Sequence, residues 1–202
     1  MSTNAFPSFK IERELQAQGM GRIVGVDEAG CGALAGPVVA GAVILPLDFE
    51  SDDVRDSKLL SEQKRENLYP LIVDRAIAWA TGSASVDEIG RLNIRGATLL
   101  AMRRAVEAIE LVDYVLVDAW TIPGIPHPQR GIIRGDQTVM SIAAASIIAK
   151  VTRDRIMREH ALRYPEYGFE IHKGYGTARH QEAIKTQGPC LIHRLSYKTF
   201  CV

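Results

Sequence analysis

Four acidic residues stand where carboxylates do chemistry rather than solvate a surface. Asp27 and Glu28 close the apolar run Ile23-Val24-Gly25-Val26, Asp118 closes Val115-Leu116-Val117, and Asp136 follows Ile132-Ile133-Arg134-Gly135. Carboxylates gathered at the mouths of buried strands repel one another and are costly to desolvate, unless their pKa values rise or a cation joins them. Hard oxygen donors select Mg2+ or Mn2+ over zinc, and no His-Glu-x-x-His or Cys-x-x-Cys spacing accompanies them. By type and spacing the set resembles a two-metal site, with ions about 4 Å apart serving to activate a water and stabilise the leaving oxygen of a phosphodiester. Asp136 also has a second reading, as N-cap of the helix that follows it.

The pattern around these residues defines the elements that must position them. A weak helical pattern over 8–18 predicts a helix packed on the outside, and 22–27 reads as a strand. The glycine-rich stretch 29–36 reads as a turn and 37–45 as a second, buried strand, the two strands forming an antiparallel pair. Adjacent residues of a strand point to opposite faces, so Asp27 and Glu28 reach one site only if the chain bends, which Gly30 and Gly32 would allow. Ser61 is placed to cap a helix running to about residue 75, 77–86 reads as a third strand, and 87–91 as a short helix. Leu99, Met102, Ala105, Val106 and Ile109 fall on one face of a helix over 95–109. Strands are expected at 114–118 and 131–134, a long helix at 138–159 and a last helix at 177–187. Antiparallel strands followed by strand–helix alternation predict an α/β fold, a mixed sheet flanked by helices with its site at strand ends.

Composition sets the outer limits. The 202 residues, 47% of them hydrophobic, suit a single domain, and no repeat or linker divides them. Lys+Arg and Asp+Glu both number 24, which argues against a chain that coats nucleic acid or membrane by bulk charge. The balance is uneven, however: residues 150–202 carry +5, with four of the five histidines, and the remainder −5. That basic end is available for phosphates. Three cysteines without framework spacing fit a reducing cytoplasm, and neither a signal peptide nor a membrane span is expected, the apolar runs being well short of spanning length. Nothing in the periodicity calls for an oligomer, so a monomer is expected.

Five blocks, in order from about residue 21 to 197, resemble bacterial ribonuclease HII. They are Gly25-Val-Asp-Glu-Ala-Gly-Cys-Gly-Ala-Leu-Ala-Gly-Pro-Val-Val-Ala40, Asp56-Ser-Lys58 with Leu60-Ser61, Asp118 after its strand, Gly135-Asp136 with Ser141-Ile-Ala-Ala-Ala-Ser-Ile-Ile-Ala-Lys-Val-Thr-Arg-Asp154, and Tyr167-Gly-Phe169 with His172-Lys-Gly-Tyr-Gly-Thr177. The resemblance implies a ribonuclease H-like fold with a five-stranded mixed sheet and a small helical extension over about 165–202. It implies Mg2+- or Mn2+-dependent hydrolysis of the RNA strand of RNA–DNA hybrids and cutting 5′ to single ribonucleotides in duplex DNA, leaving 5′-phosphate and 3′-hydroxyl ends. Asp27, Glu28, Asp118 and Asp136 become the catalytic, metal-binding set. Gly30, Cys31 and Gly32 match the turn that approaches the ribose 2′-hydroxyl, and Tyr175 the residue that senses the RNA-to-DNA step. Ser57 and Lys58 are expected phosphate contacts, and Lys150, Arg153, His172 and Lys173 are candidates along the same groove.

Cys31 departs from the family's Gly-Arg-Gly, replacing a charged fork with a small neutral side chain, so Cys31→Arg is expected to tighten hybrid binding or raise kcat/KM. Two rivals remain: a catalytically weak hybrid-binding module, and another Mg2+-dependent phosphohydrolase on this fold. Ribonuclease HIII is set aside because only about twenty residues precede the first core strand.

Overall fold

The computed structural model describes residues 6–200. Five strands form one sheet in the order β3-β2-β1-β4-β5: β1 (Ile23–Ala29), β2 (Val38–Ile44), β3 (Ala78–Ala84), β4 (Tyr114–Asp118) and β5 (Gln129–Ile132). β2 pairs antiparallel with β1 and β3, while β4 runs parallel to β1 and β5. The mixed sheet and the antiparallel first pair are those the sequence predicts. Helices α1 (Lys10–Gln16), α2 (Glu62–Arg75), α3 (Val86–Glu107) and α4 (Met140–Arg163) flank it, and α5 (Phe169–His172) and α6 (Ala178–Gln187) pack around the C-terminal end of α4.

The period-two alternation of β1 sorts the two faces. Val24 and Val26 pack with Ala97, Ala101, Met102 and Val106 of α3. Gly25 faces α4, where a Cβ would lie 2.2 Å from the Ser141 backbone, and Gly41 of β2 approaches Ala145 in the same way. These two glycines let α4 lie directly on the centre of the sheet. The face is closed by Ala143, Ala144, Ile147 and Ile148 of α4 with Leu68 and Ile72 of α2.

Three elements differ from expectation. The helices expected at 87–91 and 95–109 are continuous in α3 except at Asn93, whose φ of 57° and ψ of 172° break the run. Its side chain caps the second half by accepting from the Arg95 and Gly96 amides. β5 lies two residues earlier than predicted, where the Gln129 side chain bonds both backbone groups of Ile122. α4 runs to Arg163 because the segment after it buries Met157 and Ala161 with Tyr167 and Phe169.

Candidate metal centre and nucleic-acid interface

Strand register brings the first two acids side by side. Val26 of β1 pairs with Val117 of parallel β4, so Asp27 and Asp118 leave adjacent strand ends on the α4 face. Asp136 comes from the one-turn 3-10 helix Gly135–Gln137, which is tied down by the Gly135 amide donating to Asp118 Oδ1 at 2.7 Å. The N-cap reading of Asp136 fails: α4 begins after Val139 without a side-chain cap, and Asp136 Oδ2 instead accepts from Lys58 Nζ at 3.2 Å. One carboxylate oxygen each from Asp27, Asp118 and Asp136 lies within 4.8 Å of the other two.

Glu28 leaves β1 on the opposite face and remains outside that tightest group. Its Oε1 faces the Cys31 thiol at 3.5 Å, and the thiol lies 3.1 Å from Thr98 Oγ1 of α3. The bend expected at Gly30, where φ is +99°, therefore brings Cys31 back under Glu28 rather than swinging Glu28 across the sheet. Glu28 still acts on the cluster through charge.

Burial, together with repulsion from Glu28 and Asp118, holds the Asp27 carboxyl well above its ordinary range. Burial likewise raises Glu28, and it raises Asp136 against the opposing pull of Lys58. Asp27 Oδ2 is buried without a hydrogen-bond partner. A converging all-oxygen set with one orphaned carboxylate oxygen fits a hard divalent cation, whose charge would relieve the repulsion.

The flanking residues divide into those facing outward and those turned into the fold. The Lys58 side chain is 69% exposed, and its ammonium stays charged despite partial burial because Asp27, Asp136 and Asp56 surround it. Ser57, expected beside it as a phosphate contact, is buried with its Oγ 2.8 Å from Ser146 Oγ of α4.

The glycine turn and the 172–177 block meet, a contact the sequence did not announce. Ala33 bridges Tyr175, and the Leu34 amide donates to Gly174 O at 2.8 Å. Tyr175 is half-buried, with Lys150 Nζ 5.1 Å from its ring centroid. His172 and Lys173, however, are buried. His172 bonds Tyr167 O and the Gly174 amide, while Lys173 Nζ donates to Glu170 O and Glu62. The expectation that their side chains touch substrate gives way to one in which they shape the turn presenting Tyr175. Arg153 is buried as well, and Lys150 is held by Asp154 at 2.8 Å. Sequence reading missed Arg194, fully buried at the other end of the chain, which donates to Cys31 O, Gly36 O and Pro37 O.

Comparison with known proteins agrees with this geometry. The ribonuclease HII family model matches residues 24–200. The ribonuclease HII of Syntrophotalea carbinolica is 50% identical over 188 residues, spanning 93% of this chain and 90% of that protein. That of Bacillus velezensis is 53% identical over 190 residues, spanning 94% and 73%. Among solved structures, ribonuclease H2 from Pyrococcus horikoshii OT3 superposes with a TM-score of 0.73 at 25% identity, over 90% of this chain and 96% of that one. Bst-RNase HIII in complex with Mn2+ shares the fold, with a TM-score of 0.70 at 19% identity over 93% and 71% of the two chains. An acid cluster at the ends of β1 and β4, a glycine turn locked to the Tyr175 turn, and half-identity across nearly the whole length converge on one conclusion: the chain belongs to the ribonuclease HII family, the metal-dependent endoribonucleases of ribonuclease H type II.

Proposed function

We propose that this chain hydrolyses the RNA strand of RNA–DNA hybrids and nicks duplex DNA on the 5′ side of an embedded ribonucleotide, leaving 5′-phosphate and 3′-hydroxyl ends. The observation that carries the reading is the convergence of Asp27, Asp118 and Asp136, with Asp27 Oδ2 buried and unpartnered. Asp27, Asp118 and Asp136 would hold Mg2+ or Mn2+, with Glu28 completing the set. Such ions supply Lewis-acid activation of water and charge neutralisation at the phosphodiester.

The remaining work falls to the chain. The Gly135 amide fixes Asp118, and the Glu28 amide, donating to Asp27 Oδ1 at 2.7 Å, fixes Asp27. Lys58 presents a cation to a phosphate beside Asp136, and the backbone of Gly30, Cys31 and Gly32 faces the ribose 2′-hydroxyl, while Tyr175 packs against the neighbouring nucleotide. In this reading residues 1–202 act as one domain whose 165–202 segment is a substrate-binding extension, working as a monomer in the cytoplasm. Cys31 and Cys190 being free thiols supports a reducing compartment. Among the described residues no helix is long and apolar enough to cross a membrane.

A duplex DNA carrying one ribonucleotide tests the proposal. Cutting 5′ to the ribonucleotide with Mg2+ or Mn2+ is expected, abolished by EDTA and reduced by about a thousandfold or more in Asp118→Asn. Cutting of an all-DNA duplex, or an intact substrate with both ions, would overturn it. Tight hybrid binding without cutting would favour a binding module.

A further inference from the structure

α4 sends one charged side chain into the seam between the two turns assigned to substrate reading. Arg153 is fully buried, and its guanidinium donates from Nε to Pro37 O, from Nη2 to Ala35 O and from Nη1 to Lys173 O, each at 3.0 Å. Its guanidinium carbon lies 5.2 Å from the Tyr175 ring centroid. On the other side, a Cβ at Gly30 would stand 2.0 Å from Arg153 Nε, so the turn closes directly on the guanidinium. One side chain thus touches the glycine turn before β2 and the turn that presents Tyr175.

The chemistry of this contact exceeds what packing needs. No carboxylate lies within 4.0 Å of Arg153 among the described residues, so its direct partners are three carbonyl dipoles and the Tyr175 ring. A buried cation held this way is a poor means of gaining stability, because an apolar side chain of similar volume would fill the space without a desolvation cost. A planar fork with donors at fixed angles does supply something methionine or leucine does not, a set distance and orientation between three backbone segments. Among the described residues the Arg194 side chain bonds the glycine turn and Pro37, together with Tyr197 of its own segment. Arg153 alone of the two spans both turns.

We propose that Arg153 is a positioning residue for substrate discrimination: it sets the spacing between the Gly30–Gly32 backbone and Tyr175, so that the two turns read one ribose–deoxyribose step together. The proposal rests on the assignment of those turns in the preceding section. Arg153 touches no reacting atom, so its loss acts through Tyr175 and the glycine turn.

A double-mutant cycle separates this from a merely structural role. KM and kcat are measured for the wild type, Arg153→Lys, Tyr175→Ala and the double variant, on duplex DNA with one ribonucleotide and on an RNA–DNA hybrid, at a fixed concentration of Mn2+. Arg153→Lys is expected to raise KM on the single-ribonucleotide duplex by about tenfold with kcat within about threefold, and to cost less on the hybrid. In the Tyr175→Ala background the same change should add less than about twofold. Independent, multiplicative effects, or a fall in kcat at unchanged KM, would overturn the proposal.

If Arg153→Lys fails to fold, amide exchange of the wild type decides, with the single-ribonucleotide duplex bound in EDTA to prevent cutting. Joint protection of the Leu34 and Tyr175 amides supports the proposal, and protection of one turn without the other overturns it. A wild type that leaves the ribonucleotide-containing duplex uncut sinks the functional reading and this proposal with it. A wild type that cuts while the cycle is additive sinks the Arg153 proposal alone.

Discussion

Cys31 shows how a single departure from a family pattern is absorbed. Its thiol is turned inward between Glu28 Oε1 and Thr98 Oγ1, and burial together with the nearby Glu28 charge pushes it up to about 12, so it is a neutral donor and not a nucleophile. Its carbonyl is held independently by Arg194 Nη1 and Tyr197 OH, each at 3.0 Å. The backbone that faces the ribose in the proposed reading therefore does not depend on which side chain stands at 31. The orientation of Glu28 does.

Replacing the thiol by a methyl group in Cys31→Ala is expected to lower kcat by about threefold to tenfold with little change in KM, the cost of one hydrogen bond to a charged group. Cys31→Ser should recover most of the loss. Cys31→Arg, expected from sequence to raise kcat/KM, has to leave the space between Glu28 and Thr98; it is now expected to lower KM by offering a phosphate fork and to lower kcat by stripping Glu28 of its donor. Steady-state kinetics on a ribonucleotide-containing duplex decides this, and an unchanged kcat in both Cys31→Ala and Cys31→Arg would remove Cys31 from the site.

Helix α1, read as an outer helix, is anchored by a residue that composition would place in solvent. Glu12 is buried, its Oε1 accepting from the Ser141 amide and hydroxyl at the start of α4, while Oε2 has no partner. Burial holds its carboxyl above the ordinary 4.5 in spite of those bonds. An acid with a raised pKa in the folded state favours the unfolded chain increasingly as pH climbs past the ordinary value. Glu12→Gln keeps the Oε1 acceptor and removes the charge. Its melting temperature should gain on the wild type between pH 5 and pH 8, by about 2–4 °C if the difference reaches about 1 kcal/mol. A difference that stays flat with pH would show that Glu12 is not strained by its charge.

Elements of the other kind were legible from local pattern. β1 and β4 announce themselves as apolar runs ended by acids, and the Ser61 cap of α2 accepts from Lys64 as its sequence suggests. The 3-10 turn carrying Asp136 was not legible. It is set by Asp118 and Lys58, 18 and 78 residues away, rather than by neighbours in sequence. The inward turn of His172, Lys173 and Arg153 was hidden for the same reason, since residue types that usually face water are buried here by chain arriving from elsewhere.

At the scale of the whole molecule, the +5 of residues 150–202 is not the free phosphate-binding surface that counting suggested. Arg153, Lys173 and Arg194 are buried, and Arg155 and Arg158 pair with Glu62 and Glu66 of α2. Much of the basic end is structural, tying α4 and the C-terminal segment to α2 and to the glycine turn. Two of its four histidines form a neutral chain: the Cys190 amide donates to His193 Nδ1 at 2.8 Å, His193 Nε2 lies 3.0 Å from His180 Nε2, and His180 Nδ1 lies 3.0 Å from Tyr175 O.

With that amide fixed as a donor, His193 Nε2 must carry its proton toward His180, and His180 Nδ1 must donate to Tyr175 O. A further proton on either ring sets two N–H groups face to face. Burial lowers both, His180 to about 4, and likewise His172, which stacks on His180 at 4.4 Å beside Arg179 and Lys173, opposed by Glu170. For a base depressed on folding, the stability it contributes is complete above the unfolded value near 6.5 and is lost as pH falls toward the folded one. The segment presenting Tyr175 should therefore loosen before the sheet does. Protection factors of the Leu34 and Tyr175 amides are expected to fall between pH 6.5 and pH 4.5, while those of β1 and β4 hold. Because the raised carboxyls of Asp27, Glu28 and Asp136 shift overall stability the opposite way, the local amides are the decisive readout. Uniform loss across sheet and C-terminal segment, or none in either, would show that the histidine chain does not set the acid sensitivity of this turn.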